Sequence, residues 1–305
     1  MKAVIYQKYG PPEVLKQVEV EKPNPKENEI LVKVHATSVT SGDVRLRSSD
    51  FPPLFWLPAR LIFGLFKPKR KILGHEFAGV VVEKGKDVQE FQVGDEVFGT
   101  TTLLAHGSYA EYVCIPESWK NGVIGLKPTN LDFKTAAVLP IGAMTALFLL
   151  EKADIQSGQH LLVYGASGSV GSYAVQIAKN MGLKVTAVCS GKNIEMVKSL
   201  GADDTIDYTQ QDYSTLDQKY DVVFDAVGKT TKQKAKKVLQ RKGAFVSVKM
   251  LTKEKTAHLQ HIKTLAEDQK IVPFIDRSFS LEDLVEAHRY VDSGRKKGNV
   301  VITVV

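Results

Sequence analysis

The sequence predicts an α/β protein in two parts, a β-rich first third followed by a doubly wound domain with a parallel sheet. Three observations carry this. Residues 3–6, 30–36, 77–83, 96–98 and 110–115 alternate apolar and polar at the period of a strand, with turn residues between them. From about Leu131 the texture changes to apolar segments of helical spacing alternating with short buried strands. The 305 residues also exceed what one domain of ordinary size holds.

The second part reads, in order, as a helix over 135–151, a strand over 160–164, a helix over 170–181 and a strand over 184–189. It continues with a helix over 194–200, strands over 205–207 and 222–224, a basic helix near 232–240 and a strand over 244–248. Six strands are expected if the C-terminal sheet edge is included. The tail offers a helix over 281–292, opened by Ser280 with Asp283 as an approximate capping box, and a last strand over 299–304. The tail is assigned back to the first domain, which makes the doubly wound part an insertion.

Composition narrows the function. With 43% hydrophobic and 25% charged residues the chain is neither disordered nor fibrous. The greasiest run, residues 51–66, is broken by Pro52, Pro53, Pro58 and Arg60, so no spanning helix is expected. The N-terminus alternates like a strand and carries no secretory pattern, which points to the cytoplasm. Two isolated cysteines, Cys114 and Cys189, provide neither a disulfide framework nor a metal knuckle. A formal charge of +7 suits an anionic ligand.

The strongest chemical signal is HLLVYGASGSVGSYAVQIAK, where a buried strand runs through Gly165, Gly168 and Gly171 directly into a helix. Glycines there permit a tight turn, close approach of backbone amides to a pyrophosphate, and close packing of helix on strand. The same spacing can serve a helix-packing turn alone. The second strand ends in Cys189, Ser190, Gly191 and Lys192, without the carboxylate that grips the ribose of NAD, so Ser190 and Lys192 point to NADPH, with Tyr208 placed to cover the same phosphate. Lys192 also reads as an ordinary surface lysine. The strand ends at Asp225 to Gly228 and Ser247 to Met250 are expected to open on the ligand crevice, and Asp225 could equally be a helix cap.

These residues, with MKAVIYQKYGPPEVL, EILVKVHATSVTSGDVRLR, ILGHEFAGVVVEKGKDVQEFQVGDEVFG, GSYAEY, LPIGAMTALFLL, LGAD and KGNVVITV, resemble the medium-chain dehydrogenase/reductase superfamily, and within it the zinc-independent quinone oxidoreductase-like members. The resemblance covers nearly the whole chain. It implies a GroES-like catalytic domain over 1–122 and 264–305 and a Rossmann domain over 123–263, with the cofactor in the cleft. It places NADPH on Gly165, Ser167, Gly168, Ser169, Val170, Gly171, Ser190, Lys192 and Tyr208, with Thr145, Gly228, Met250 and Asn299 at the nicotinamide end. A homodimer is expected on the same ground.

Gly74-His75-Glu76 looks like the GHE element of the zinc alcohol dehydrogenases, in which the histidine is a zinc ligand. A catalytic zinc needs three protein ligands, yet the expected cysteine position reads Thr40-Ser41-Gly42-Asp43 and no cysteine occurs around 141–144, so no metal is expected. Without a Lewis acid, hydride transfer to a quinone or an activated C=C bond of an enone is favoured over alcohol oxidation. Thr40, Asp43, Arg45 and His75 are the candidate catalytic residues. Arg45 reads either as a group that polarises the acceptor oxygen or as a salt-bridge partner of Asp43 or a surface head group. The apolar segment 51–71 reads either as a wall or lid over an apolar acceptor or as a core or dimer contact. Rival readings are a zinc-type alcohol dehydrogenase and an NADPH-binding sensor or nucleic-acid-binding protein. The last rests on KTTKQKAKKVLQRK, seven basic residues without an acid, which fits the solvated face of a helix better because no aromatic residues interleave. Neither nucleic acid nor a membrane is expected as a partner.

Overall fold

The computed structural model describes residues 1–51 and 53–305. The chain forms two compact units, Met1–Ile141 with Ile275–Val305, and Gly142–Phe274. Strand pairing continues past residue 122, through Ile124–Leu126, and the helix Thr256–Glu267 runs unbroken through 263/264.

In chain order the first unit holds β1 (Lys2–Ile5), β2 (Lys16–Glu19), β3 (Glu29–Ser38), α1 (Ser41–Ser48), α2 (Pro53–Phe63), β4 (Glu76–Lys84), β5 (Glu96–Thr100), β6 (Tyr112–Pro116), β7 (Ile124–Leu126) and α3 (Phe133–Ala137). Helix α4 (Pro140–Ala153) leads into the second unit. There follow β8 (His160–Tyr164), α5 (Ser169–Asn180), β9 (Lys184–Cys189), α6 (Ile194–Ser199), β10 (Asp204–Asp207), β11 (Tyr220–Asp225), α7 (Lys232–Ala235), β12 (Leu239–Ser247) and α8 (Thr256–Glu267). The chain then returns as β13 (Ile275–Ser280), α9 (Leu284–Asp292) and β14 (Asn299–Thr303).

Unit one is built on a seven-stranded sheet ordered β13-β14-β3-β4-β5-β7, with β6 also on β3. Its long strand β3 is buried on both faces, with Ile30, Val32 and Val34 in one apolar cluster with Phe77, Val81 and Val97. A second cluster joins β1, α9 and β14 through Val4, Tyr6, Leu284, Ala287 and Ile302. Arg47, almost fully buried, fastens α1 to α9 by donating to Asp292 at 2.8 Å and to the Gly10 carbonyl at 3.2 Å.

Unit two is a five-stranded, all-parallel sheet ordered β10-β9-β8-β11-β12. Leu161, Leu162 and Val163 on central β8 are wholly buried, as strands covered by helices on both faces must be. The sheet has five strands, not six, because the next strand, β13, pairs in parallel with β14 in the first unit's sheet. The order reverses between β8 and β11, and in such sheets ligands sit outside the carboxyl ends of the strands at that point.

Three elements differ locally from expectation. The helix over 135–151 is two helices, since Pro140 has no N–H to donate and starts α4 anew. The basic helix over 232–240 shrinks to α7, because Ala235, Val238 and Leu239 turn into the core and the chain goes straight into β12. Ser280 and Asp283 do bond each other, but α9 starts only at Leu284, with Asp283 itself at the N-cap position and no side-chain capping bond. Among the described residues no helix is long and apolar enough to cross a membrane.

Gly171, on the first turn of α5, lies so close to β8's turn that a Cβ would be driven into the Gly165 carbonyl and Ala166. Gly171→Ala should therefore cost about 2 kcal/mol in denaturant unfolding, against the roughly 1 kcal/mol gain of the same change in an open helix. A stabilised variant would show that the approach is not tight.

Candidate active site

In the second unit the carboxyl end of β8 turns at Gly165, whose φ of 80° is the left-handed region that favours glycine. The chain then enters α5, whose N-cap is Gly168 with no side chain capping it. A Cβ on Gly168 would meet no protein atom nearer than 3.5 Å, so packing does not demand a glycine there. Packing demands glycine at 165 and 171, whereas at 168 the small residue leaves a cradle open before an uncapped helix end, which is the arrangement that receives a phosphate.

A second loop closes on this one. Asn193, buried and just past Ser190 and Lys192, donates from Nδ2 to Ser167 Oγ at 2.9 Å, while its Oδ1 is buried without a protein partner among the described residues. An acceptor left unsatisfied beside a phosphate cradle suits a ligand hydroxyl. Lys192 and Tyr208 are exposed, and Ser190 is half-buried. Asp207, at the end of β10, turns its carboxylate to this turn and is held ionised by the Thr209 amide and hydroxyl and by the Gly191 backbone. The second strand itself ends without a carboxylate, but the third strand brings one to the same corner.

Behind the loop, Asp225 is fully buried at the end of β11. It accepts from Ser247 Oγ at 2.8 Å and from the Lys229 amide at 3.2 Å, so it is the clasp of the Asp225–Gly228 turn and not a helix cap. Gly228 and Met250 lie on the two turns so joined, Ser169 and Val170 open α5, and Thr145 is half-buried on α4. Asn299 is buried at the start of β14 in the first unit.

The first unit carries the polar cluster. Thr40 is the N-cap of α1 and forms a full capping box with Asp43: its Oγ1 accepts from the Asp43 amide at 3.0 Å and donates to Asp43 Oδ2 at 2.6 Å. The other carboxylate oxygen, Oδ1, accepts from the Gly74 amide at 2.8 Å and from His75 Nδ1 at 2.7 Å. Burial alone would push Asp43 up, but the charge and hydrogen bond of His75 and the bond from Thr40 outweigh it and hold the carboxyl far below its usual range. Asp43 is thus a fixed anion, and Nδ1 of His75 is committed to it. Thr40, Asp43 and His75 come together as expected. Arg45 does not: it stands two residues from Asp43 on α1 and is exposed, and positions i and i+2 do not share a helix face.

Glu76 was not among the expected residues, though it is the third letter of the GHE element. Its buried carboxyl accepts from the Ile141 amide at 2.8 Å and bonds Ser38 Oγ. Burial pushes it up to about 7, with Asp43 adding to the rise and Lys296 opposing it.

The zinc question is answered by donors. Of the motif, His75 has a ring nitrogen to offer while the Glu76 carboxyl is taken by Ser38 and the Ile141 amide; Thr40 occupies the thiolate position with its hydroxyl spent on Asp43, and Ile141–Met144 contains no cysteine. Cys114 and Cys189 lie in different units, and burial pushes the Cys189 thiol up to about 11. Among the described residues no group of three His, Cys, Asp or Glu is placed to hold a metal. The residues do not fit a catalytic zinc.

A glycine turn on a parallel sheet in one unit and a caged histidine in the other, on one chain, define a two-unit dinucleotide oxidoreductase scaffold. Comparison with known proteins agrees. Residues 26–126 match the alcohol dehydrogenase GroES-like domain and residues 169–278 the zinc-binding dehydrogenase domain. The chain is 35% identical to the 2-methylene-furan-3-one reductase of Solanum lycopersicum and 32% identical to the chloroplastic NADPH-dependent alkenal/one oxidoreductase of Arabidopsis thaliana, each over 99% of this chain and 79% of the relative. The solved quinone oxidoreductase of Coxiella burnetii superposes with a TM-score of 0.85 at 29% identity, covering 100% of this chain and 99% of that one. The chain belongs to the medium-chain dehydrogenase/reductase superfamily, among its zinc-independent quinone oxidoreductase-like members.

The raised carboxyl of Glu76 sets a pH dependence. Between its ordinary 4.5 and about 7 the folded chain holds a proton that the unfolded chain releases. Stability from this group is therefore complete below the lower value and is lost as pH rises through the upper one. Glu76→Gln keeps both bonds if Ser38 turns from donor to acceptor. Between about pH 5 and about pH 8 the wild-type should lose up to roughly 3 kcal/mol relative to this variant, read from paired denaturant curves. Parallel curves would contradict the assignment.

Proposed function

We propose that the protein is an NADPH-dependent, zinc-independent oxidoreductase that reduces a quinone or the activated C=C bond of an enone. The observation that carries this reading is the open cradle at Gly168 before the uncapped end of α5. It is supported by relatives named as NADPH-dependent alkenal/one and quinone oxidoreductases.

In this reading Gly165, Ser167, Gly168, Ser169, Val170 and Gly171 hold the pyrophosphate, and Ser190, Lys192 and Tyr208 hold the 2'-phosphate. Asp207 stays an anion at the same corner, its oxygens turned to Thr209 and Gly191, and in this reading the Lys192 ammonium offsets its charge against the phosphate. Thr145, Gly228, Met250 and Asn299 hold the nicotinamide end. When bound, the reduced nicotinamide supplies a hydride.

The chain's own chemistry is the proton. Asp43 is the permanent anion that holds His75 by Nδ1, leaving Nε2 to pass a proton to the enolate or quinolate oxygen. Thr40 acts through Asp43 and is a positioning residue, because its hydroxyl proton is already donated. Arg45 has no role in this scheme. A homodimer is inferred from family habit, and a cytoplasmic site from two cysteines that are both free.

Purified protein with NADPH and a chelator should turn over at least one member of a panel of quinones and α,β-unsaturated carbonyls, with a lower Kd for NADPH than for NADH. His75→Ala should lower kcat by about 100-fold while the NADPH Kd is unchanged. Full activity in that variant would remove His75 from the mechanism, and loss of turnover on chelation would restore a metal.

A further inference from the structure

Helix α2 has two unlike faces. Its inner face is anchored: Phe63 packs into the β1–α9 cluster and stacks on Phe51 at 6.2 Å, and the Tyr9 hydroxyl donates to the Phe63 and Gly64 carbonyls at 3.0 and 2.8 Å. Arg60 lies 3.9 Å over the Tyr9 ring and 5.3 Å from the Trp56 ring, and also binds Ser49 Oγ and the Leu65 carbonyl. Pro52 lies outside the described residues. Among the described side chains, Leu57, Leu61 and Ile62 of the helix are exposed, as are Trp56 beside Arg60 and, just past the helix, Leu65 and Phe66, the last 89% exposed. A fold that buries so much elsewhere leaves this cluster uncovered, and such clusters mark interaction surfaces.

Charge selects the occupant. From residue 51 to residue 75 the sequence contains no acid, while Lys67, Lys69 and Lys71 follow the helix and are exposed; Lys69 also caps the Leu61 carbonyl at 3.1 Å. Asp50 and Glu76 bound the segment, and Glu76 is buried and bonded inside the fold. A second copy would bring the same lysines against these, which opposes self-pairing through this face. An aromatic and aliphatic face bordered by lysines fits the boundary between headgroups and acyl chains of an anionic bilayer.

We propose that α2 and the Phe66–Lys71 segment seat the protein on an anionic lipid surface, the helix lying in the interface with Leu61, Ile62 and Phe66 inserted and Lys67 and Lys71 at the headgroups. Among the described residues no helix is long and apolar enough to span; the contact proposed is peripheral, where no membrane partner was expected from the sequence. Binding here is independent of turnover, and it brings an oxidoreductase to acceptors that dissolve in lipid.

The full chain should float with vesicles of phosphatidylglycerol and phosphatidylcholine and not with phosphatidylcholine alone, and added salt should weaken the association. Phe66→Asp with Ile62→Asp, and separately Lys67→Glu with Lys71→Glu, should each lower partitioning roughly tenfold or more while NADPH binding and the circular dichroism spectrum are unchanged. Failure of the wild-type to bind anionic vesicles, or equal binding by both variants, would overturn the proposal. So would a concentration-dependent dimer in sedimentation that Phe66→Asp abolishes without vesicle binding, or a raised KM for a water-soluble acceptor with partitioning unaltered.

Discussion

The buried carboxylate of Asp43 is the constraint on which the first unit's active region depends. Four hydrogen bonds converge on it, from the Thr40 amide and hydroxyl, the Gly74 amide and His75 Nδ1. One charged group thereby starts α1, fixes the turn before β4 and orients the histidine. An anion placed this deep is tolerable only because it is fully partnered, and removing any one donor would leave a desolvated charge. The residue that completes the capping box of α1 and the residue that orients His75 are the same.

The resemblance to zinc enzymes takes on a physical meaning here. The histidine and the carboxylate behind it form the outer part of a metal-type site, whose purpose there is to orient a ligand. With threonine in place of thiolate, the same carboxylate orients a free imidazole. Glu76 next to it is buried and close to neutral, and it holds the backbone at Ile141, the last residue of the first unit.

The glycine turn was readable in the sequence because its requirement is local: a strand, three glycines and a helix specify their own geometry. The Thr40-x-x-Asp43 box is local too, although the tie from Asp43 to His75 spans 32 residues and carries no spacing signal. The alternatives for Arg45 stayed open for the same reason, since charge complementarity along the chain says nothing about which helix face is buried, and the exposed position it takes is that of a surface head group. The missing sixth strand reflects long-range pairing: β13 looks like any short edge strand, and only β14 tells it which sheet to join. Asp207 and Asn193 escaped notice because their meaning comes from β10 and α6 being neighbours of the glycine loop in space.

The central claim is hydride delivery to an acceptor without metal. It is tested most directly by single turnover of an enone with NADPH deuterated at the transferring C4 position, in chelator, followed by mass spectrometry of the product. The account requires one deuterium on the carbon β to the carbonyl and a solvent proton at the α carbon. Product that carries no deuterium, or no product until zinc is restored, would contradict it.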